Sequence, residues 1–141
     1  MKGFLGLCFL VCAGMSILAL SQPASDTQAT AHESKATIEG LVRDVACPIQ
    51  NLEATATHLS MKCLLACARK GSPLVILTKD GDLYLPISRE MPDTDQRQTL
   101  MPFLGKYVRA SGTLYERRGT HAIVISEIKE LKDVHLTIED Q

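Results

Sequence analysis

Residues 106–115 alternate without a break, with Val108, Ala110, Gly112 and Leu114 on one side and Tyr107, Arg109, Ser111, Thr113 and Tyr115 on the other. A period of two is the side-chain geometry of an extended strand, and no helix can present it as a single face. Similar signals recur along the chain. In Thr37 to Val45, Ile38, Gly40 and Val42 fall on one side and Glu39 and Arg43 on the other. Pro73 to Thr78 is a short apolar run of buried-strand length. Asp80-Gly81 signals a tight hairpin, since such turns need positive φ at their central residues, and it leads into Leu83-Tyr84-Leu85 and the strand-ending Pro86. After a polar turn at Glu116 to Gly119, His121 to Ile128 is apolar on both faces, as a central strand would be. Gly40 and Gly112 lie inside strands, where glycine marks sharp coiling or a bulge.

With Gln96 to Phe103 helix-like between the third and fourth strands, the order is β-β-β-α-β-β. That order looks like a mainly β, five-stranded oligonucleotide/oligosaccharide-binding (OB) barrel spanning residues 36–133. A small β-sandwich or an open α+β sheet is the alternative. The extra piece, residues 46–72, is a helical insertion between strands one and two. Residues 134–141 read as a polar C-terminal tail.

The leader constrains the compartment. Lys2 precedes a nearly continuous apolar run from Phe4 to Leu20, and Ala19-Leu20-Ser21 offers small residues where a signal peptidase cuts. Residues 1–21 are therefore expected to be a signal peptide, the product periplasmic or secreted, with membrane contact only through the leader if it is not cleaved. Residues 22–35 are small and polar and read as a disordered tether. Loss of Lys2 turns 15 basic residues into 14, against 16 acidic ones. Such a balance gives no drive toward nucleic acid. Tyr107, Arg109 and Tyr115 share a face, but tryptophan is absent, and no nucleic-acid partner is expected.

Cys8 and Cys12 leave with the leader; Cys47, Cys63 and Cys67 remain, with His58 between them. An odd number of cysteines in an oxidising compartment means a disulfide with a spare thiol, a shared partner, or a metal site. Met61 to Lys70 is expected to be helical, with Thr57 or Ser60 as N-cap, Arg69 and Lys70 in the last turn, and Gly71 and Pro73 as stop signals. Four-residue spacing puts Cys63 and Cys67 on one helical face, about 6 Å apart at Cα. Met61 points the other way and reads as core filler.

Four chemistries compete. Cys47 can bridge to Cys63 or Cys67, stapling the insertion to the first strand at a gain of roughly 3 kcal/mol. A Cys63–Cys67 bond fits poorly within one helix. Alternatively the three thiolates hold a metal, zinc with His58 as fourth ligand or Cu(I) with sulfur alone. His58 suits that role only if the helix starts after it; under a Thr57 cap it would lie about 140° around the wheel from Cys63. The cysteines can also be small buried hydrophobes, or a redox pair, which lacks Cys-x-x-Cys spacing.

A family resemblance accompanies this cluster. Gly40-x-Val42-x-Asp44-x-x-Cys47, Cys63-x3-Cys67-x3-Gly71-x-Pro73 and Asp80-Gly81-x-x-Tyr84, closing on Gly105, Lys106, Val108 and Gly112, are similar to small exported bacterial domains of uncharacterised function. The resemblance implies an exported barrel and no defined activity.

Other catalytic signatures are missing: there is no haem-attachment motif, phosphate loop or nucleophile elbow. His32, His121 and His135 read as surface or edge histidines, and Asp93 and Asp95 as members of a solvated loop. The expectation is a non-enzymatic exported binding module, taking a metal ion or a protein or peptide partner. Its alternatives are a disulfide-stapled interaction domain with one free cysteine, and a thiol redox protein.

Overall fold

The computed structural model describes residues 32–139. The expected signal peptide, and residues 22–31 of the expected tether, lie outside the described residues. In chain order the elements are β1 (His32–Asp44), α1 (Ala46–Gln50), β2 (His58–Leu59), α2 (Met61–Arg69), β3 (Leu74–Thr78) and β4 (Leu83–Pro86). Then follow α3 (Arg97–Leu100), a 3-10 turn (Met101–Phe103), β5 (Tyr107–Arg117), β6 (Thr120–Glu130) and β7 (Thr137–Ile138).

Five strands close into a barrel in the order β1-β3-β4-β6-β5, and the parallel β4–β6 pair completes the OB-like connection. β1 is long enough to serve two neighbours. Its first part pairs with β5, from His32 opposite Glu116 to Leu41 opposite Tyr107. Its second part pairs with β3, from Gly40 opposite Thr78 to Asp44 opposite Leu74. The strand thus begins earlier than alternation indicated: residues 32–35 are laddered to β5, because exposed polar side chains do not prevent backbone pairing.

Gly112 sits where the β5–β6 register shifts, and a Cβ built there would meet the Val124 carbonyl oxygen at 2.0 Å. A Cβ at Gly40 would meet the Leu77 carbonyl oxygen at 2.3 Å. Both glycines therefore permit strand approach that no side chain would allow. The Asp80-Gly81 hairpin is looser than its dipeptide suggests, since only Gly81 has positive φ. Arg118-Gly119 is the turn with both central residues at positive φ.

The described residues form two cores. Ile38, Val42, Leu74, Ile76, Val108, Ala110 and Ile123 fill the barrel, joined by Ala68 of α2 and Leu100 of α3. Leu41, Leu77 and Tyr107 point outward from the barrel wall and are covered by Ala56, Leu59 and Leu64 of the insertion. Tyr107, 3 % exposed, is thus core. Arg109 is ion-paired to Glu39 at 2.5 Å. The aromatic-basic face inferred from alternation is therefore largely consumed by packing.

The C-terminal segment is not a free polar tail. Val134, Leu136 and Ile138 pack against the outer core, and β7 runs parallel to β2, pairing His58 with Thr137 and Leu59 with Ile138. Their spacing of two is a strand signal, too short to stand out among the charged neighbours. Among the described residues, no helix is long and apolar enough to cross a membrane.

Candidate metal centre

Three sulfurs from two separate segments meet at one end of the barrel. Cys47 comes from α1, the short helix that follows β1; Cys63 and Cys67 come from successive turns of α2. Their sulfur atoms all lie within 4.8 Å of one another, with Cys47 Sγ and Cys63 Sγ 3.3 Å apart.

Local sequence fixes α2 at both ends. Ser60 is the N-cap, its hydroxyl accepting from the Cys63 amide at 3.2 Å. At the other end Gly71 has φ +88°, the Ser72 amide donates to the Cys67 carbonyl at 3.1 Å, and the Gly71 amide to that of Ala68 at 3.1 Å. These two bonds form a Schellman stop, which needs a residue at ease with positive φ. The Arg97 guanidinium adds donors to the Ala68 and Ser72 carbonyls, the latter at 2.7 Å, fastening α3 to the end of α2. Leu64 enters the outer core and Ala68 the barrel core. The helix is therefore fixed in rotation, and its cysteine face is fixed with it.

Cys47 is set by Asp44. The Asp44 carboxylate, fully buried, accepts the Cys47 amide at 2.9 Å through Oδ2. Its other oxygen, Oδ1, is buried without a hydrogen-bond partner. Arg43, the adjacent residue on β1, is also buried and donates to the Thr55 carbonyl at 3.1 Å, while its Nε is unpartnered.

The electrostatics hold the Cys47 and Cys67 thiols protonated. Burial pushes the Cys47 thiol well above the ordinary cysteine range, helped by hydrogen bonds to Cys63 and Asp44 and by the Asp44 charge. Cys67 is raised by burial and then by the Asp44 charge, against a hydrogen bond from Cys47 that pulls it down. Cys47 and Cys67 are therefore poor nucleophiles.

All three cysteines are free thiols, and 3.3 Å is well outside the S–S bond length of about 2.05 Å. Zinc–thiolate bonds of about 2.3 Å in a tetrahedron set sulfurs about 3.8 Å apart. The separations here, 3.3 Å for Cys47–Cys63 and none beyond 4.8 Å, bracket that value. The donor set fits a thiophilic ion with side-chain adjustments alone.

His58 faces the same cavity but stands outside the sulfur group. A cavity of about 340 Å³ is lined by Cys47, Cys63, His58, Arg43, Glu53 and Glu139, among others. The ring nitrogens of His58 are engaged there, Nδ1 3.1 Å from the Glu53 carbonyl and Nε2 3.2 Å from the Glu139 carboxylate. The Ser60 cap does start α2 after His58, as a ligand role required, but pairing with β7 orients the residue toward Glu139 instead. Met61 packs against the outer core. A larger groove of about 540 Å³ lies on the barrel wall among Lys35, Arg89, Thr37, Ser111, Thr113 and Ser126. It offers no thiol or imidazole, so the candidate chemistry is placed in the smaller cavity.

The remaining histidine and carboxylate candidates have local tasks. His121 lies against Tyr84, with ring centroids 5.1 Å apart, and 3.7 Å from Asp82. Asp93 accepts from the Ser88 amide at 2.6 Å, and Asp95 from the Arg97 amide at 2.8 Å. Asp44 and Arg43 were not singled out as site residues by sequence reasoning. A signal for Asp44 existed, because it falls on the same side of the strand as Ile38, Gly40 and Val42. Comparison with protein-family models, with characterised proteins and with solved structures returns no match.

Proposed function

We propose that this chain is an exported, non-enzymatic module that binds a thiophilic metal ion, zinc or Cu(I), through Cys47, Cys63 and Cys67. One observation carries the reading: three thiols from two distant stretches of chain lie within 4.8 Å of one another. Chance burial of cysteines as small hydrophobes gives no reason for the sulfurs to converge. Capture of the ion converts thiols to thiolates, releasing protons, and the thiolates then share the positive charge instead of repelling one another. The ion ties α1 to α2, so binding and folding of the insertion are coupled. Zinc would complete its shell with a fourth donor from the cavity; Cu(I) needs only the three sulfurs.

Anaerobic titration of the reduced protein with Co²⁺, as a spectroscopic stand-in for zinc, tests this. One equivalent should bring up intense sulfur-to-metal charge-transfer absorption, weakened in each of Cys47→Ser, Cys63→Ser and Cys67→Ser. Absence of that absorption in the wild type, together with no Cu(I) retained against a chromogenic Cu(I) chelator, rejects the site.

A second reading is favoured by a separate observation. The 3.3 Å contact brings the Cys47 and Cys63 sulfurs within reach of a bond. In an oxidising compartment that pair would form the staple and leave Cys67 as the spare thiol.

A further inference from the structure

A buried carboxylate oxygen without a partner is costly, and native structures reserve such groups for an ion, an ordered water or a function. Asp44 Oδ1 is such an atom, on a residue that is 0 % exposed. Its sister oxygen is tied to the Cys47 amide at 2.9 Å, so the carboxylate is held against the first thiol of the cluster. Among the described residues no ion pair neutralises it, and it lies on the same side of β1 as Ile38 and Val42 of the barrel core.

We propose that Asp44 makes the thiol cluster selective for a divalent thiophilic cation of the zinc class over Cu(I). The proposal rests on the metal-binding reading above and names which ion the site is built for.

Three thiolates around Cu(I) already leave a doubly negative centre, and a fixed carboxylate beside it makes burial costlier still. A divalent ion cancels one more charge, and its attraction to the carboxylate is twice as strong at the same distance. Donor chemistry points the same way. Carboxylate oxygen suits zinc, either directly or through an outer-sphere contact, and offers nothing to Cu(I), which prefers sulfur.

The test is competition of the reduced wild type and Asp44→Asn against zinc and Cu(I) chelators of known affinity, with folding of both checked by circular dichroism. The substitution keeps size and an acceptor for the Cys47 amide and removes the charge. Zinc affinity should fall by about 10- to 100-fold, while Cu(I) affinity changes far less or rises. Equal losses for both metals, or no loss for zinc, overturn the proposal and leave the metal site standing. Failure of the wild type to bind either metal instead rejects the site itself, and selectivity with it. Should Asp44→Asn not fold, a zinc-loaded wild-type crystal structure decides. An Asp44 oxygen within about 5 Å of the ion, bound directly or hydrogen-bonded to a ligand, is expected, and one held farther away contradicts the assignment.

Discussion

Cys47 and Cys63 are sixteen residues apart in sequence, yet their sulfur atoms sit 3.3 Å apart at the end of the barrel. Asp44 holds the first through its backbone amide, and the Ser60 cap holds the start of the helix that carries the second. The contact therefore has a structural cause at both ends.

Metal affinity should rise with pH. Cys47 and Cys67 are raised by burial, so both are protonated near neutrality and must lose protons on binding. Each displaced proton adds about tenfold in apparent affinity per pH unit. Zinc competition at several values between pH 6 and 8 checks this, and a flat profile would contradict protonated thiols.

The same shifts predict a loss of apo stability in alkali. Folded thiols of raised pKa keep their protons where the unfolded chain, near its ordinary value of 9.0, releases them. Stability from these groups is complete below that value and declines as pH rises past it. Urea midpoints of the reduced, metal-free protein should fall between pH 8 and 10, and Cys47→Ser should blunt the decline.

Oxidation should be regiospecific. Mild oxidant applied to the metal-free protein should join Cys47 to Cys63 and leave Cys67 alkylatable, with a mass loss of about two units. Bound zinc should protect all three. Peptide mapping showing Cys63 joined to Cys67 would contradict the helical geometry of α2.

Removing residues 134–141 should destabilise the insertion. Val134, Leu136 and Ile138 would be lost from the outer core, and β2 would lose its only partner among the described strands. A loss of about 2 kcal/mol or more is expected, on the order of 10 °C in thermal midpoint. An unchanged midpoint would mean the tail packs without consequence.

Much of the barrel was legible because its long strands carry period-two patterns over many residues. Lys106 to Tyr115 matches β5 in all but its first residue, His121 to Ile128 falls within β6, and the Ser60 and Gly71 signals bound α2. What escaped was short or depended on tertiary partners. α1 has five residues and an N-cap, Val45, without a side-chain bond, so the Asp44 bond to the Cys47 amide is a slight local signal for so short a helix. The β2–β7 pair involves two residues on each side, below any periodicity. His58 looked like a ligand by proximity in sequence, whereas its place beside Glu139 is decided by the returning C-terminal segment. The orphaned Asp44 oxygen is a property of burial, and a single acidic residue at a strand end does not reveal it.

The central claim is that the three thiols act as one metal-binding unit. Native mass spectrometry of the reduced protein with one equivalent of zinc, followed by alkylation, tests it most directly. The account predicts one zinc per chain with Cys47, Cys63 and Cys67 all protected until a chelator removes the ion. Zinc-independent alkylation of any of the three, or a complex that forms equally well in Cys47→Ser, would contradict it.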